Sequence, residues 1–193
     1  MALPFLRAWR EERVHRQRAG AYVESLAVEP EAAVVEWLAR EVTGGDADRA
    51  RWELRYARRA LGLVVAQRDA LDDRTASVVA RALADSLSRD RNVAADKLAL
   101  AEQQLNARLR VYADAIAERG AGEPTAARIG RALIRAAGGP PQADTLLVAR
   151  AGELLSGWLA QANEALRNAF GTAQLPEDVA PSEAARAGTL APK

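Results

Sequence analysis

His15, three groups of arginines and a small set of aromatic side chains are the residues whose chemistry could define a site. The chain holds one histidine and no cysteine, which removes thiolate nucleophiles, disulfides and cysteine-based metal sites together. His15 stands among Arg13, Arg16 and Arg18, with neither a nucleophile nor an apolar haem pocket beside it, and reads as a surface residue. Ser77, Ser86, Ser88 and Ser156 have no base partner evident in the sequence. Each glycine pair falls at the end of an expected helix, and none precedes Lys-Ser or Lys-Thr as a phosphate-cradling loop requires. The apolar stripes described below contain almost no carboxylates, so no carboxylate metal site is expected. The chain reads as a protein that is not an enzyme and carries no cofactor.

Arginine is the default cation of this sequence: among 27 basic residues only Lys97 and Lys193 are lysine. A cluster of arginines therefore says less about phosphate binding than it would elsewhere. The first group is Arg7, Arg10, Arg13, Arg16 and Arg18, beside Phe5 and Trp9. The second is Arg49, Arg51, Arg55, Arg58 and Arg59, interleaved with Trp52 and Tyr56. The third is Arg128, Arg131 and Arg135. Were Arg51, Arg55, Arg58, Arg128, Arg131 and Arg135 to converge in space, they could hold nucleic-acid phosphates or an acidic protein. Three separate solvated faces are the plainer expectation, and nucleic acid ranks low among the partners considered. Trp52, Tyr56, Tyr112 and Trp158 are the aromatics that could line an apolar pocket between helices, although Trp52 and Tyr56 fit a core better than a base-stacking platform.

The elements that must position these residues are helices. Asp46 follows Gly44-Gly45 and can cap a helix running to about residue 71. Leu54, Ala57, Leu61, Val64 and Val65 form one stripe on it, and Trp52, Tyr56, Ala60 and Leu63 the next. A stripe that wide predicts burial on more than one side and a central place in a bundle. Residues 74–119 contain no Gly or Pro. One helix of that length would reach roughly 65–70 Å at 1.5 Å per residue, more than a compact domain needs. The short polar side chains of Ser88, Asp90 and Asn92 compete for backbone hydrogen bonds, and Asp90 would fall on the buried stripe of an unbroken helix. A break or bend is expected there.

Before this centre, Pro4 suits the first turn of a helix reaching about Leu26. Its tip of Leu3, Phe5, Leu6 and Trp9 is apolar, whereas from Arg10 to Arg18 only Val14 is. Such a polar middle is either solvent-exposed or awaits a partner. Gly20 is a candidate kink. A short helix after Glu29-Pro30 carries Val34, Val35, Leu38 and Val42, with Trp37 on its flank. Beyond the centre, Pro124 opens a two-sided helix with Ile129, Leu133 and Ile134 opposite Arg128, Arg131 and Arg135. Gly138-Gly139-Pro140-Pro141 stops it. Asp144 can cap a last helix reaching about Phe170, in which Gly152, Ser156 and Gly157 are small enough to let another helix approach.

Hydrophobic residues make up 49% of the 193, led by Ala and Leu with few aromatics, which favours helices over sheets. Formal net charge is +1 and points to no class of charged partner. No apolar run approaches the ~20 residues of a membrane span, and the first residues are too short an apolar stretch for a signal peptide. A cytoplasmic protein is expected. The N-terminal stripe lasts barely two turns, too little for stable docking on a membrane surface by itself. The predicted organisation is an all-α, up-down antiparallel bundle of five to seven helices: residues 1–28 an Arg-rich N-terminal helix, 29–170 the bundle, and 171–193 a disordered or partner-docked tail. The function expected first is a scaffold or adaptor working through helix faces and its terminal segments, associating with a protein partner or with itself. Phe5, Trp9, Arg10, Arg13 and Arg16 are its candidate contacts. A bundle binding a small apolar ligand ranks second.

Overall fold

The computed structural model describes residues 4–70, 73–118 and 122–171, with side chains in the first helix from residue 9 onward. Among the described residues the chain is all-α: α1 (Pro4–Leu26), α2 (Ala32–Glu41), α3 (Ala47–Asp69), α4 (Asp73–Ser88), α5 (Leu98–Ala117), α6 (Thr125–Ala136) and α7 (Thr145–Phe170), with one 3-10 turn at Ala95–Lys97. No helix among these residues is long and apolar enough to cross a membrane. The segment 172–193, where the sequence predicts a tail, lies outside the described residues, as do residues 71–72 and 119–121.

α3 is the centre of the molecule. It packs against each of the other six helices, and between residues 53 and 66 every side chain except Arg58 is buried. The two adjacent apolar stripes explain this, because together they leave little of the helix circumference polar. Its start is set as the sequence predicts. Gly44 and Gly45 take φ of 67° and 92°, where a Cβ is strained, and the Asp46 side chain then accepts the Arg49 backbone N–H at 2.9 Å. Asp144 caps α7 in the same way, accepting from Leu146 N–H at 2.7 Å.

The run 74–119 is two helices. α4 stops at Ser88, and residues 89–94 turn before the 3-10 turn that leads into α5. Asp90, which a continuous helix would bury on its apolar stripe, instead sits in the turn. Its Oδ1 accepts from the Asn92 backbone N–H (3.0 Å) and side-chain amide (2.9 Å), and its Oδ2 accepts from Arg59 of α3 at 2.7 Å.

α6 and α7 meet through two glycines. A Cβ on Gly130 would press on the Val148 carbonyl and lie 2.7 Å from the Gly152 nitrogen, and one on Gly152 would press on Ala126 of α6. Gly157, expected to share this role, faces open space. Trp37, placed on the flank of α2 by its sequence, is buried.

α1 runs through Gly20 as one helix, and its two halves are held differently. Ala19, Tyr22, Val23 and Leu26 are buried, with the Tyr22 hydroxyl donating to the Gly62 carbonyl at 2.7 Å. From residue 9 to residue 18 no side chain is buried. That half is joined to the bundle by polar contacts: Arg74 to Glu12 at 2.7 Å and His15 to Thr75 at 3.1 Å.

Candidate functional site

The first candidate surface is the outer side of that half of α1. Trp9 is 53% exposed and Val14 45%. Arg10, Arg13 and Arg16 are exposed with them. Arg13, one turn on from Trp9, lies over its indole at 5.7 Å, a cation–π contact that holds the ring. Arg16 pairs with Glu12 at 3.0 Å. Phe5, the remaining member of this set, has its side chain outside the described residues.

His15 is not a free surface residue. It is half-buried, bonded to Thr75, with its ring 5.5 Å from that of Phe170. No Glu-x-x-His pair was expected from the sequence, yet Glu12 and His15 have that spacing, which is seen in helical metal sites. Both are engaged here: Glu12 accepts from Arg74 and Arg16, whose hydrogen bonds hold its carboxyl below the usual range. No group of three or more His, Cys, Asp or Glu among the described residues could hold a metal ion.

The six arginines considered as an anion-facing set are distributed over several places. Arg51 pairs with Asp48 at 2.6 Å on the surface of α3. Arg55 is buried, ion-paired with Glu29 through Nε at 3.1 Å, and stacked on Trp52 at 4.8 Å. Arg58 donates to Gln161 at 3.1 Å and covers Trp158 at 5.4 Å. Arg128 donates to the Ala115 carbonyl at 2.8 Å and to that of Glu123, joining the end of α5 to the start of α6. Arg131 pairs with Glu123. Arg128, Arg131 and Arg135 come together along one surface groove, where they alternate with the carboxylates of Asp114, Glu118 and Glu123. Arg51, Arg55 and Arg58, spaced four and three residues apart, lie on one side of α3, but each is engaged by a different partner: Asp48, Glu29 and Gln161.

Of the four aromatics considered for a pocket, only Trp52 and Tyr56 come together. Tyr112 is fully buried, and its hydroxyl has no partner among the described residues. Burial, then the Glu53 charge, pushes its pKa up. Trp158 lines a groove with Arg58, Val34 and Leu154. Trp52 and Tyr56 share a third groove, of about 510 Å³, between α3 and α5. Their rings lie 5.6 Å apart.

Sequence reasoning missed the ion pair in that groove. Glu53 of α3 is buried and accepts both arms of the Arg108 guanidinium from α5, the Nε at 2.9 Å. Arg108 also donates to Gln104 at 2.7 Å. The hydrogen bonds that Arg108 donates to Glu53 hold the guanidinium more firmly protonated, against the opposing effect of burial. The signal was present: Glu53 precedes Tyr56 by three, and Arg108 precedes Tyr112 by four, so each charge sits on its helix's buried stripe. No family model, curated protein or solved structure matches the chain.

Proposed function

We propose that the protein is a non-catalytic interaction module whose contact surface is the outer face of the first half of α1, centred on Trp9, Arg10, Arg13 and Val14. The observation that carries this reading is the exposure of Trp9 and Val14 on a stretch of helix, residues 9–18, in which no side chain is buried. Trp and Arg are the residue types that contribute most at protein–protein interfaces, and an indole held by a cation–π contact loses less freedom on binding. The matching partner is a protein, or a second copy of this chain, presenting an apolar pocket for Trp9 and carboxylates for Arg10 and Arg13. A nucleic-acid partner is less well supported, because Arg51, Arg55, Arg58, Arg128 and Arg131 all have partners within the chain.

A photo-crosslinking side chain at position 10 tests this in source cells, with the same group at the exposed Ala84 of α4 as control. The expected result is a discrete adduct from position 10, absent from position 84 and lost when Trp9→Ser is added, with helicity by circular dichroism unchanged. No adduct at position 10, or one indifferent to Trp9→Ser, contradicts the reading.

A further inference from the structure

We propose that the groove between α3 and α5 is a binding site for a small planar aromatic carboxylate. Trp52 and Tyr56 form the α3 wall, and Leu100, Ala101 and Gln104 the α5 wall. Asn92, Val93 and Ala94 of the α4–α5 connection complete its lining. Its volume, about 510 Å³, falls within the ~300–1,000 Å³ of small-molecule sites. Leu100 is 51% exposed, so the α5 wall carries an apolar side chain that a flat apolar ligand would cover. The tilted Trp52–Tyr56 pair supplies the aromatic surface for such a ligand on the opposite side.

Charge selects the polar end of that ligand. Arg49, Lys97, Arg108 and Glu53 are the ionised groups of the lining. Arg108 and Glu53 neutralise one another, which leaves two cations. Arg49 lies beside Gly138, and its guanidinium has no carboxylate partner among the described residues. Lys97 forms an ion pair with Asp96 at 3.8 Å, between two well-exposed side chains, where an ion pair contributes little. Gln104 engages its oxygen with Arg108, so its NH₂ group remains a donor. A carboxylate drawn by Arg49 and Lys97, on a ring lying between Trp52 and Leu100, satisfies every one of these features. A neutral or cationic ring leaves the two cations unmatched.

Calorimetric titration with 2-naphthoate tests the site, with 2-naphthylmethanol as the neutral match of the same shape. At low salt, naphthoate is expected to bind one molecule per chain, about tenfold more tightly than the alcohol, the effect of two half-screened charges. The difference should fall to about twofold or less in the Arg49→Gln/Lys97→Gln variant. Leu100→Glu, at a position 51% exposed, should abolish binding of naphthoate while helicity by circular dichroism is unchanged. The proposal is overturned by an absence of saturable naphthoate binding, by equal affinity for acid and alcohol, or by binding that persists undiminished in Leu100→Glu.

Discussion

Arg59 and Asp90 make the sharpest energetic prediction. Arg59 projects from the central helix with its side chain 5% exposed, and Asp90, from the connection that ends α4, is 11% exposed. One guanidinium nitrogen meets Asp90, while Nε and Nη1 are buried without a partner among the described residues. The two ends of the pair are therefore unequal. Asp90→Ala leaves a buried guanidinium with no counter-charge and should cost about 3–5 kcal/mol. Arg59→Met leaves a carboxylate that still accepts two hydrogen bonds from Asn92, and should cost less, about 1–3 kcal/mol. The double variant removes both desolvated charges, and its loss should be no more than about 1 kcal/mol. Asp90→Asn, which keeps an acceptor oxygen but no charge, should fall between wild type and Asp90→Ala. Urea denaturation followed by circular dichroism at neutral pH gives all four values. Additivity of the two single variants to within about 0.5 kcal/mol, or a loss under about 1 kcal/mol for Asp90→Ala, would refute the reasoning.

Two further outcomes follow from the same structure. Gly130→Ala should destabilise by about 1–3 kcal/mol, because the added methyl meets α7 backbone and overpacking outweighs the gain in helix propensity. Gly157→Ala, with open space around it, should instead stabilise by about 0.5–1 kcal/mol; thermal melts giving the same sign for both would contradict the close crossing. Acid sensitivity has a defined direction. Burial alone would raise the Asp90 carboxyl, but the Asn92 backbone N–H and Arg59 hold it below the ordinary value, and Arg68 does the same for Asp69 against weaker opposition from burial. A carboxyl depressed in the folded state stabilises above the unfolded value, about 3.9, and loses that contribution as pH falls through the folded value. The urea midpoint should therefore drop on acidification towards about pH 2, and drop less in Arg59→Met/Asp90→Ala; identical pH dependences would count against the assignment.

Local signals were legible in the sequence and long-range partnerships were not. The Asp46 and Asp144 caps, the interruption around Ser88 to Asn92, and the central place of α3 each follow from a few adjacent residues or one helical period. Gly152 declared only its size; its partner Gly130 lies on another helix, and Gly157 has the same composition with nothing to approach it. The arginines show the limit most plainly. Arg55, Arg58 and Arg59 are near neighbours in sequence, yet their partners are Glu29, Gln161 and Asp90, chosen by how helices distant along the chain come together. His15 looked solvated because its own helix offers it nothing; Thr75 and Phe170 arrive from α4 and α7. In the candidate groove, Trp52 and Tyr56 were recognisable as large aromatics on a stripe. The charge pattern around them depends on Arg49, Lys97 and Arg108 meeting across two helices and a turn.

The position of α3 also constrains how the chain is made. α3 is complete at Asp69, while one of the helices that covers it, α7, ends at Phe170. During synthesis at roughly 5–20 residues per second, that last cover arrives about a hundred residues later, so the central helix waits on the order of 5–20 s with apolar surface uncovered. α1 and α2, already made, can shield one side of it in that interval. The surface destined for α5 and α7 remains open, and ribosome-bound chains that have reached α4 but not α7 expose it, the condition in which nascent chains aggregate or need chaperones.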